Sequence, residues 1–272
     1  MTNLPDKVGS LGQQAHNSEW LERVARVGLV AYGVVHVVIG ILAVRLAFGD
    51  GSGAPSSSGA MQELAQQPFG KFLVWAVAVG MFLLALWQGL EGALGHRDED
   101  GADQVRKKVT SIGKAVVYVV IGISAVKVAV GSGSSGGTDS TTAKIMDLPA
   151  GQLLVGVVGL VIVGIGGFFL YSALTERYMK KVDGKGSSGD SGKAYKYLGK
   201  AGYAAKGVAF FIVGGLFGYA AVTHESEKSG GIDVALREVL DQPFGPVLLT
   251  LMGLGFAAYG LFCFVRARHF DG

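Results

Sequence analysis

Residues 27–48 read VGLVAYGVVHVVIGILAVRLAF, an apolar run that contains only one tyrosine, one histidine and one arginine. A bilayer core about 30 Å thick is crossed by about 20 apolar residues in a helix, at about 1.5 Å of rise per residue. This run is therefore long enough to span a membrane. Five other runs qualify, so the chain is predicted to be an all-α integral membrane protein with six transmembrane helices at 27–48, 72–94, 109–130, 151–174, 200–222 and 245–265.

One unit occurs three times along the chain: an apolar run, a polar loop that is mostly Gly and Ser, a proline-glycine step and a second apolar run. Repetition of membrane-length segments largely determines an architecture. We therefore predict three tandem two-helix repeats related by pseudo-threefold symmetry. Their bounds are an amino-terminal tail at 1–18, repeat one at 19–104, repeat two at 105–194, which includes a basic cytoplasmic loop, and repeat three at 195–272.

The composition of the 272 residues agrees with a membrane location. Half of the residues are hydrophobic, 17% are charged, and the mean hydropathy is +0.41. The single cysteine, Cys263, excludes a disulfide within the chain and a zinc site built from several thiolates.

The distribution of lysine and arginine predicts the orientation, because cytoplasmic loops carry an excess of these residues. Eighteen of the 24 lie in the two tails and in the regions around the loops after the second and fourth spans, whereas the three other loops hold four. Both termini are therefore predicted to be cytoplasmic. The six spans and this charge distribution predict a multi-pass membrane protein.

The first span of each repeat carries small residues at similar positions. Such residues, spaced three to five apart, form a shallow stripe that lets another helix backbone approach closely in lipid. A ligand or ion close to the backbone is the alternative. The predicted helix-packing residues are Gly28, Ala31, Gly33, Gly202, Ala205, Gly207, Gly214 and Gly218, and repeat two has Thr110, Gly113 and Ala115 at equivalent positions.

The second span of each repeat is preceded by a proline-glycine motif. Proline lacks an N–H group and suits the first turn of a helix, so each motif is predicted to begin the return span. A short amphipathic segment precedes each motif, and we interpret it as a helix on the outer leaflet or as an element that caps an external vestibule. The motif residues are Gln67, Pro68, Phe69 and Gly70, then Pro149 and Gly151, then Gln242, Pro243, Phe244 and Gly245.

These three copies resemble the domain of unknown function 1206 family. The resemblance rests on the first-span pattern G-x-x-A-x-G-x-x-[HYF], on the Gly/Ser loop and on Q-P-F-G, and it covers 19–268. Repeat two departs most, since it lacks one glycine of the helix motif and the glutamine and phenylalanine of the loop motif. The resemblance implies six spans and a bacterial, mainly actinobacterial, inner membrane. It implies no activity.

Polar groups at membrane depth are expensive and are therefore candidates for function. His36 lies about nine residues, or roughly 13 Å, into its span, and Tyr118 and Phe210 hold its place in the other repeats. The candidate intramembrane polar site is accordingly His36 with Tyr118. A histidine that donates a hydrogen bond to a carbonyl of a neighbouring helix is the structural interpretation, and a proton or substrate role is the functional one.

Four cations near the span ends are predicted to contact anionic lipid head groups. Lys114 and Lys206 align with Tyr32 near the cytoplasmic face, where a long side chain can extend toward phosphates. Arg45 and Lys127 lie near the outer face, where carboxylates of the outer loops are the alternative partners.

Enzyme motifs are missing from the sequence, which has no paired membrane carboxylates, no H-E-x-x-H and no phosphate-binding loop. We predict no metal, no cofactor and no catalytic residues. The expected partners are the lipid bilayer and another membrane protein, but not nucleic acid. The favoured interpretation is a non-enzymatic scaffold or accessory subunit, and the alternative is a small-solute or ion transporter or channel, since transport folds often have internal symmetry.

Overall fold

The computed structural model describes residues 19–51, 53–94, 101–132, 138–148, 150–182 and 189–269, and within these ranges all regular structure is helical. Six long helices have the length and hydropathy to cross a membrane, which confirms the six-span prediction. They are α1 (Glu19–Ala47), α3 (Gly70–Leu94), α4 (Gly101–Ala129), α6 (Gly151–Thr175), α7 (Gly189–Thr223) and α9 (Gly245–Arg268).

Helices α1, α4 and α7 begin eight to eleven residues before the predicted spans. These added turns are polar and are joined by ion pairs along the helix, such as Lys193 with Asp190 at 3.0 Å. Hydropathy therefore located the membrane-crossing part of each helix and missed the turns that extend beyond it. The extended ends lie together with the carboxyl end of α9, and we call this the cation-rich end of the bundle.

Three short helices lie at the opposite end, which we call the cap end: α2 (Ser57–Gln66), α5 (Thr138–Met146) and α8 (Ile232–Leu240). Met61 of α2 and Leu236 of α8 are fully buried in the main hydrophobic core. The interpretation of the last segment as a helix with its apolar face on lipid is therefore wrong, because that face packs on the bundle. The short helices cap the end of the bundle, and the alternative interpretation, an element that caps an external vestibule, stays a prediction.

The closest helix pairs join different repeats. Helix α3 packs on α4, α6 packs on α7, and α9 closes the circle by packing on α1. Each pair combines the second span of one repeat with the first span of the next. The two-helix hairpin is thus the unit that repeats in the sequence, but its two helices pack less closely on each other than on helices of the adjacent repeats.

Glycines set the distance between these paired helices. Where α1 crosses α9, a Cβ on Gly40 would lie 2.5 Å from the carbonyl oxygen of Gly253. Where α7 crosses α6, a Cβ on Gly214 would lie 2.8 Å from the carbonyl oxygen of Gly159. Gly40 and Gly214 are equivalent in repeats one and three, so the two crossings are copies of one interface.

Contacts within a repeat differ between the copies. In repeat one a Cβ on Gly80 would meet the Cβ of Ala31 at 2.6 Å, and in repeat three Gly255 faces Ala205 in the same way. In repeat two α4 and α6 form no such packed interface in the described part of the chain. Val161 holds the place of Gly80 and Gly255, and it is 58% exposed.

The ring of six spans is open between α4 and α6. On the two facing helices, Val161 replaces Gly80 and Gly255, and Thr110 replaces Gly28 and Gly202. We call this gap the open side. Its walls are the residues whose equivalents are buried in repeats one and three: Thr110, Gly113, Val117, Val158, Val161 and Ile165.

The proline-glycine motifs form tight turns before the return spans. Phe69 and Phe244 have φ of 60° and 62°, and Ala150 has φ of 62°. Each of these residues is the third residue of a four-residue turn and has a left-handed backbone conformation. Glycine or asparagine usually holds such a position, so the backbone is strained at these phenylalanine and alanine residues. The glycine that follows is required for space, since a Cβ on Gly245 would collide with the carbonyl oxygen of Leu240. Pro149 lies outside the described residues.

Candidate functional site

The centre of the bundle contains a lysine in an aromatic cage. Lys206 of α7 is only 4% exposed, and its Nζ donates to Oη of Tyr32 at 3.0 Å. The same Nζ lies 3.3 Å from Nε2 of His36. It also lies 4.1 Å from the ring centroid of Tyr259 and 5.0 Å from that of Phe169, distances typical of cation–π contacts.

The tautomer of His36 follows from its two partners. Its Nδ1 lies 2.9 Å from the carbonyl oxygen of Tyr32, which can only accept, so Nδ1 carries the hydrogen. In the neutral ring Nε2 then has a free lone pair and accepts from Lys206. His36 therefore donates to a carbonyl of its own helix, and not of a neighbouring helix as the structural interpretation expected, and it contacts a cation from another repeat.

Aromatic rings extend the cage to the two helices that border the open side. The ring of Tyr118 from α4 lies 5.2 Å from that of Tyr32 in an edge arrangement. The ring of Phe169 from α6 lies 5.7 Å from that of Tyr203. The predicted pair of His36 and Tyr118 thus meets at Tyr32, although the central group is Lys206.

The prediction that Lys206 contacts a lipid head group is wrong for this structure, because its amine points into the protein. Tyr32, Lys114 and Lys206 are equivalent positions in the three repeats, but the prediction considered each of them separately. Residues related by pseudo-symmetry come together near the axis, and Tyr32 and Lys206 do so here. The equivalence of Tyr32 and Lys206 in the repeats was the signal that could have predicted this contact.

The head-group prediction is also wrong for Arg45, where the carboxylate alternative holds. Its guanidinium binds Oδ2 of Asp50 at 2.8 Å and Oε1 of Glu63 at 2.9 Å. Lys127 is exposed at the cap end, and Lys114 is half-buried. Head-group contacts for these two lysines stay predictions.

The predicted helix-packing residues lie mainly at helix crossings. Gly28, Ala31, Gly33, Gly202, Ala205, Gly207 and Gly214 each face a neighbouring span closely. Gly218 differs, because a Cβ there would meet nothing within 4 Å, although its backbone nitrogen lies 3.1 Å from a Cβ placed on Gly159.

A lysine in this position is energetically expensive. Removing an ammonium group from water costs several kcal/mol in a protein interior. The described residues supply no carboxylate to Lys206, only a phenol, an imidazole and rings. A second cation lies nearby on α9, where Nε of Arg266 is buried without a hydrogen-bond partner. The site is therefore rich in donors, and its only nearby carboxylate in the described residues, Glu91, lies within electrostatic range of Tyr118 and not in contact with Lys206.

An apolar cavity of about 190 Å³ adjoins the cage on the side of the cap end. Its walls come from α6, α7 and the start of α8, and they are Ile162, Phe210, Val213, Phe217, Gly230, Gly231 and Ile232. Phe210, Val213 and Phe217 lie four, seven and eleven residues after Lys206, so all four share one face of α7. The lining presents no polar surface.

The loop after α6 closes the cation-rich end of the cage through Tyr178. Its hydroxyl donates to the carbonyl oxygen of Lys196 at 2.6 Å, and its ring stacks on Tyr203 at 5.0 Å. Burial raises the pKa of Tyr178 to about 12, and the nearby carboxylate of Glu176 contributes to the rise. No cluster of three or more potential metal ligands occurs among the residues that the structure describes.

Comparison with known proteins agrees with the repeat. Residues 27–95, 109–176 and 201–269 each match the model of a family described as Domain of Unknown Function (DUF1206). The chain is also 28% identical over 252 residues to Uncharacterized protein YxxB of Bacillus subtilis (strain 168), which covers 91% of this chain and 90% of that protein. No solved structure matches the chain.

Proposed function

Because the chain belongs to the domain of unknown function 1206 family and is a multi-pass membrane protein, we propose that it is a non-enzymatic scaffold or accessory subunit that binds a transmembrane helix of another membrane protein at its open side. We further propose that it resides in a bacterial plasma membrane with the cation-rich end and both termini in the cytoplasm.

The observation that carries this proposal is the break in the pseudo-symmetry. The positions of Thr110, Gly113 and Val117 are buried against a span in repeats one and three, and here they are exposed. The facing positions on α6 show the same difference. Two helix-binding faces of the repeat therefore lack a helix.

The chemistry of the open side suits a helix better than a polar ligand. Its walls are aliphatic apart from Thr110, and a Cβ on Gly113 would meet nothing within 4 Å. A glycine with free space above it permits close approach of a backbone, which is how helices associate in lipid.

Site-specific photo-crosslinking in native membranes tests this proposal. A photoreactive residue at Val117 or Val158 should give one adduct of constant mass with a partner protein. The matched controls are Val79 and Leu251, which are 53% and 61% exposed on other sides of the bundle. The proposal fails when the open-side positions give only lipid adducts, or when all four positions give the same pattern.

The alternative, a transporter or channel, has support from the hydrogen-bonded group of Lys206, His36 and Tyr32 at membrane depth. Against it, the interior beyond this group toward the cap end is the apolar cavity, which offers a hydrophilic solute no ligands. Flux through liposomes that contain the purified protein, and a changed rate in His36→Ala, would support transport. Absence of flux over a broad panel of ions and solutes would exclude it.

A further inference from the structure

We propose that the interior of the bundle binds an anionic amphiphile, with its acidic head at Lys206 and an alkyl chain in the apolar cavity. This inference goes beyond the proposed function and does not depend on it, because the site needs no partner protein.

The proposed position of the head group rests on two cationic hydrogen-bond donors that contact no negatively charged acceptor among the described residues. Lys206 is buried, and its hydrogen-bond partners are the neutral groups of Tyr32 and His36. Nε of Arg266 is buried without a partner, and its guanidinium lies within electrostatic range of Tyr203 and Tyr259 beside the same cage. A carboxylate or phosphate would supply the missing negative charge, and its hydrogen bonds to charged donors are the strong kind.

The chain part rests on the position and chemistry of the cavity. It begins at Phe210, one helical turn from Lys206, and continues along the same face to Phe217. Pockets that enclose a complete drug-sized ligand have volumes of about 300–1,000 Å³. At about 190 Å³ this cavity holds only part of a long chain, so the remainder must leave the bundle.

The open side provides that exit. Ile162 of the cavity wall is next to Val161, which is exposed on the open side. Tyr118 and Phe169 bring the two bordering helices to the edge of the cage. The head lies toward the cation-rich end and the chain toward the cap end, which is the orientation of a lipid in the leaflet at the cation-rich end.

Photoaffinity labelling of the purified full-length protein in phosphatidylcholine liposomes tests the site. The probe is palmitic acid with a diazirine in the middle of its chain and a terminal alkyne. We expect saturable labelling, found by mass spectrometry in the peptides that contain Phe210–Phe217 or Ile162. Phosphatidic acid with the same diazirine chain distinguishes a free carboxylate from a lipid phosphate as the head group.

Two controls isolate the charge. The alcohol with the same diazirine chain should label these peptides about tenfold less in the unaltered protein, because it lacks the negative charge. Lys206→Met should reduce palmitate labelling by a similar factor, whereas Lys71→Met, the same change at an exposed lysine of the cap end, should not. Equal labelling by acid and alcohol, or labelling confined to lipid-facing peptides, would overturn the proposal. Loss of the partner adduct at Val117 would leave it intact.

Discussion

Tyr32 and Lys206 hold the same position in repeats one and three, and their side chains meet, with Lys206 Nζ donating to Tyr32 Oη at 3.0 Å. Equivalent residues of a repeat touch only near the axis that relates the copies. The contact therefore marks the pseudo-threefold axis and places a lysine on it. Lys114, the third member, is half-buried and lies on the helix beside the open side.

Lys206→Met should leave the stability unchanged or raise it. Methionine keeps most of the stem and removes a buried charge that has no charged partner in the described part of the chain, and the desolvation of such an ion costs several kcal/mol. The measurement is thermal unfolding in detergent without added lipid, followed by circular dichroism. Lys114→Met serves as the control. If Lys206→Met loses more than about 2 kcal/mol relative to that control, the amine is a structural element rather than a binding group.

Gly260→Ala should destabilise the bundle, because a Cβ there would lie 2.5 Å from the carbonyl oxygen of Gly33. The α1–α9 crossing must then separate, and overpacking of this kind costs about 1–3 kcal/mol. Gly113→Ala is the same chemical change at an open position and should be neutral or stabilise by up to about 1 kcal/mol. Thermal unfolding of both variants checks the difference, and equal losses would show that the crossing adjusts without strain.

How far the sequence predicts this protein can be judged from particular residues. The run at 27–48 was sufficient for a span, because apolar length alone determines membrane crossing. Gly33 and Gly207 were recognisable as packing positions from their spacing. Their partners were not, because the repeat suggested hairpin packing and the structure pairs α1 with α9.

The centre of the site escaped prediction for a related reason. Lys206 and His36 are 170 residues apart, and only the closure of the ring brings them together. A lysine one turn inside a span ordinarily extends to the interface, so each copy read alone predicts a head-group contact. The opening was not predicted, because the glycine that Val161 replaces lies in the second span, outside the motifs that revealed the repeat.

Changes at Phe244 should reveal the strain of the loop motif. Its φ of 62° is unfavourable for a phenylalanine, and its side chain is 82% exposed, so few contacts compensate. Phe244→Gly should keep the stability within about 1 kcal/mol or raise it, since glycine adopts this conformation freely. Phe244→Val should lower it by about 1–2 kcal/mol, because a β-branched residue fits positive φ poorly. If urea or thermal unfolding shows that Phe244→Val is more stable than Phe244→Gly, the result would contradict the turn geometry.

Tyr178 should make the protein sensitive to high pH. Its folded pKa is raised to about 12, above the ordinary value of 10.0, so the neutral form is favoured in the folded state. The stabilisation is fully present below pH 10 and is lost as the pH rises toward 12, because the unfolded chain ionises first. Stability measured across this range should fall less steeply in Tyr178→Phe, which cannot ionise. Parallel curves for the two proteins would assign the alkaline loss to other groups.

The open side should close when the glycine pattern of the other repeats is restored. In the double variant Thr110→Gly and Val161→Gly, α4 and α6 regain the small residues that let α1 approach α3. Cysteines placed at Val117 and Val158 should then cross-link several-fold faster under a mild oxidant than in the parent background. The control variant is Val157→Gly, which adds a glycine to α6 at a position that is 49% exposed but outside the open side. Faster cross-linking in that control would attribute the effect to a loosened helix, and an unchanged rate in the double variant would mean that Val161 does not hold the ring open.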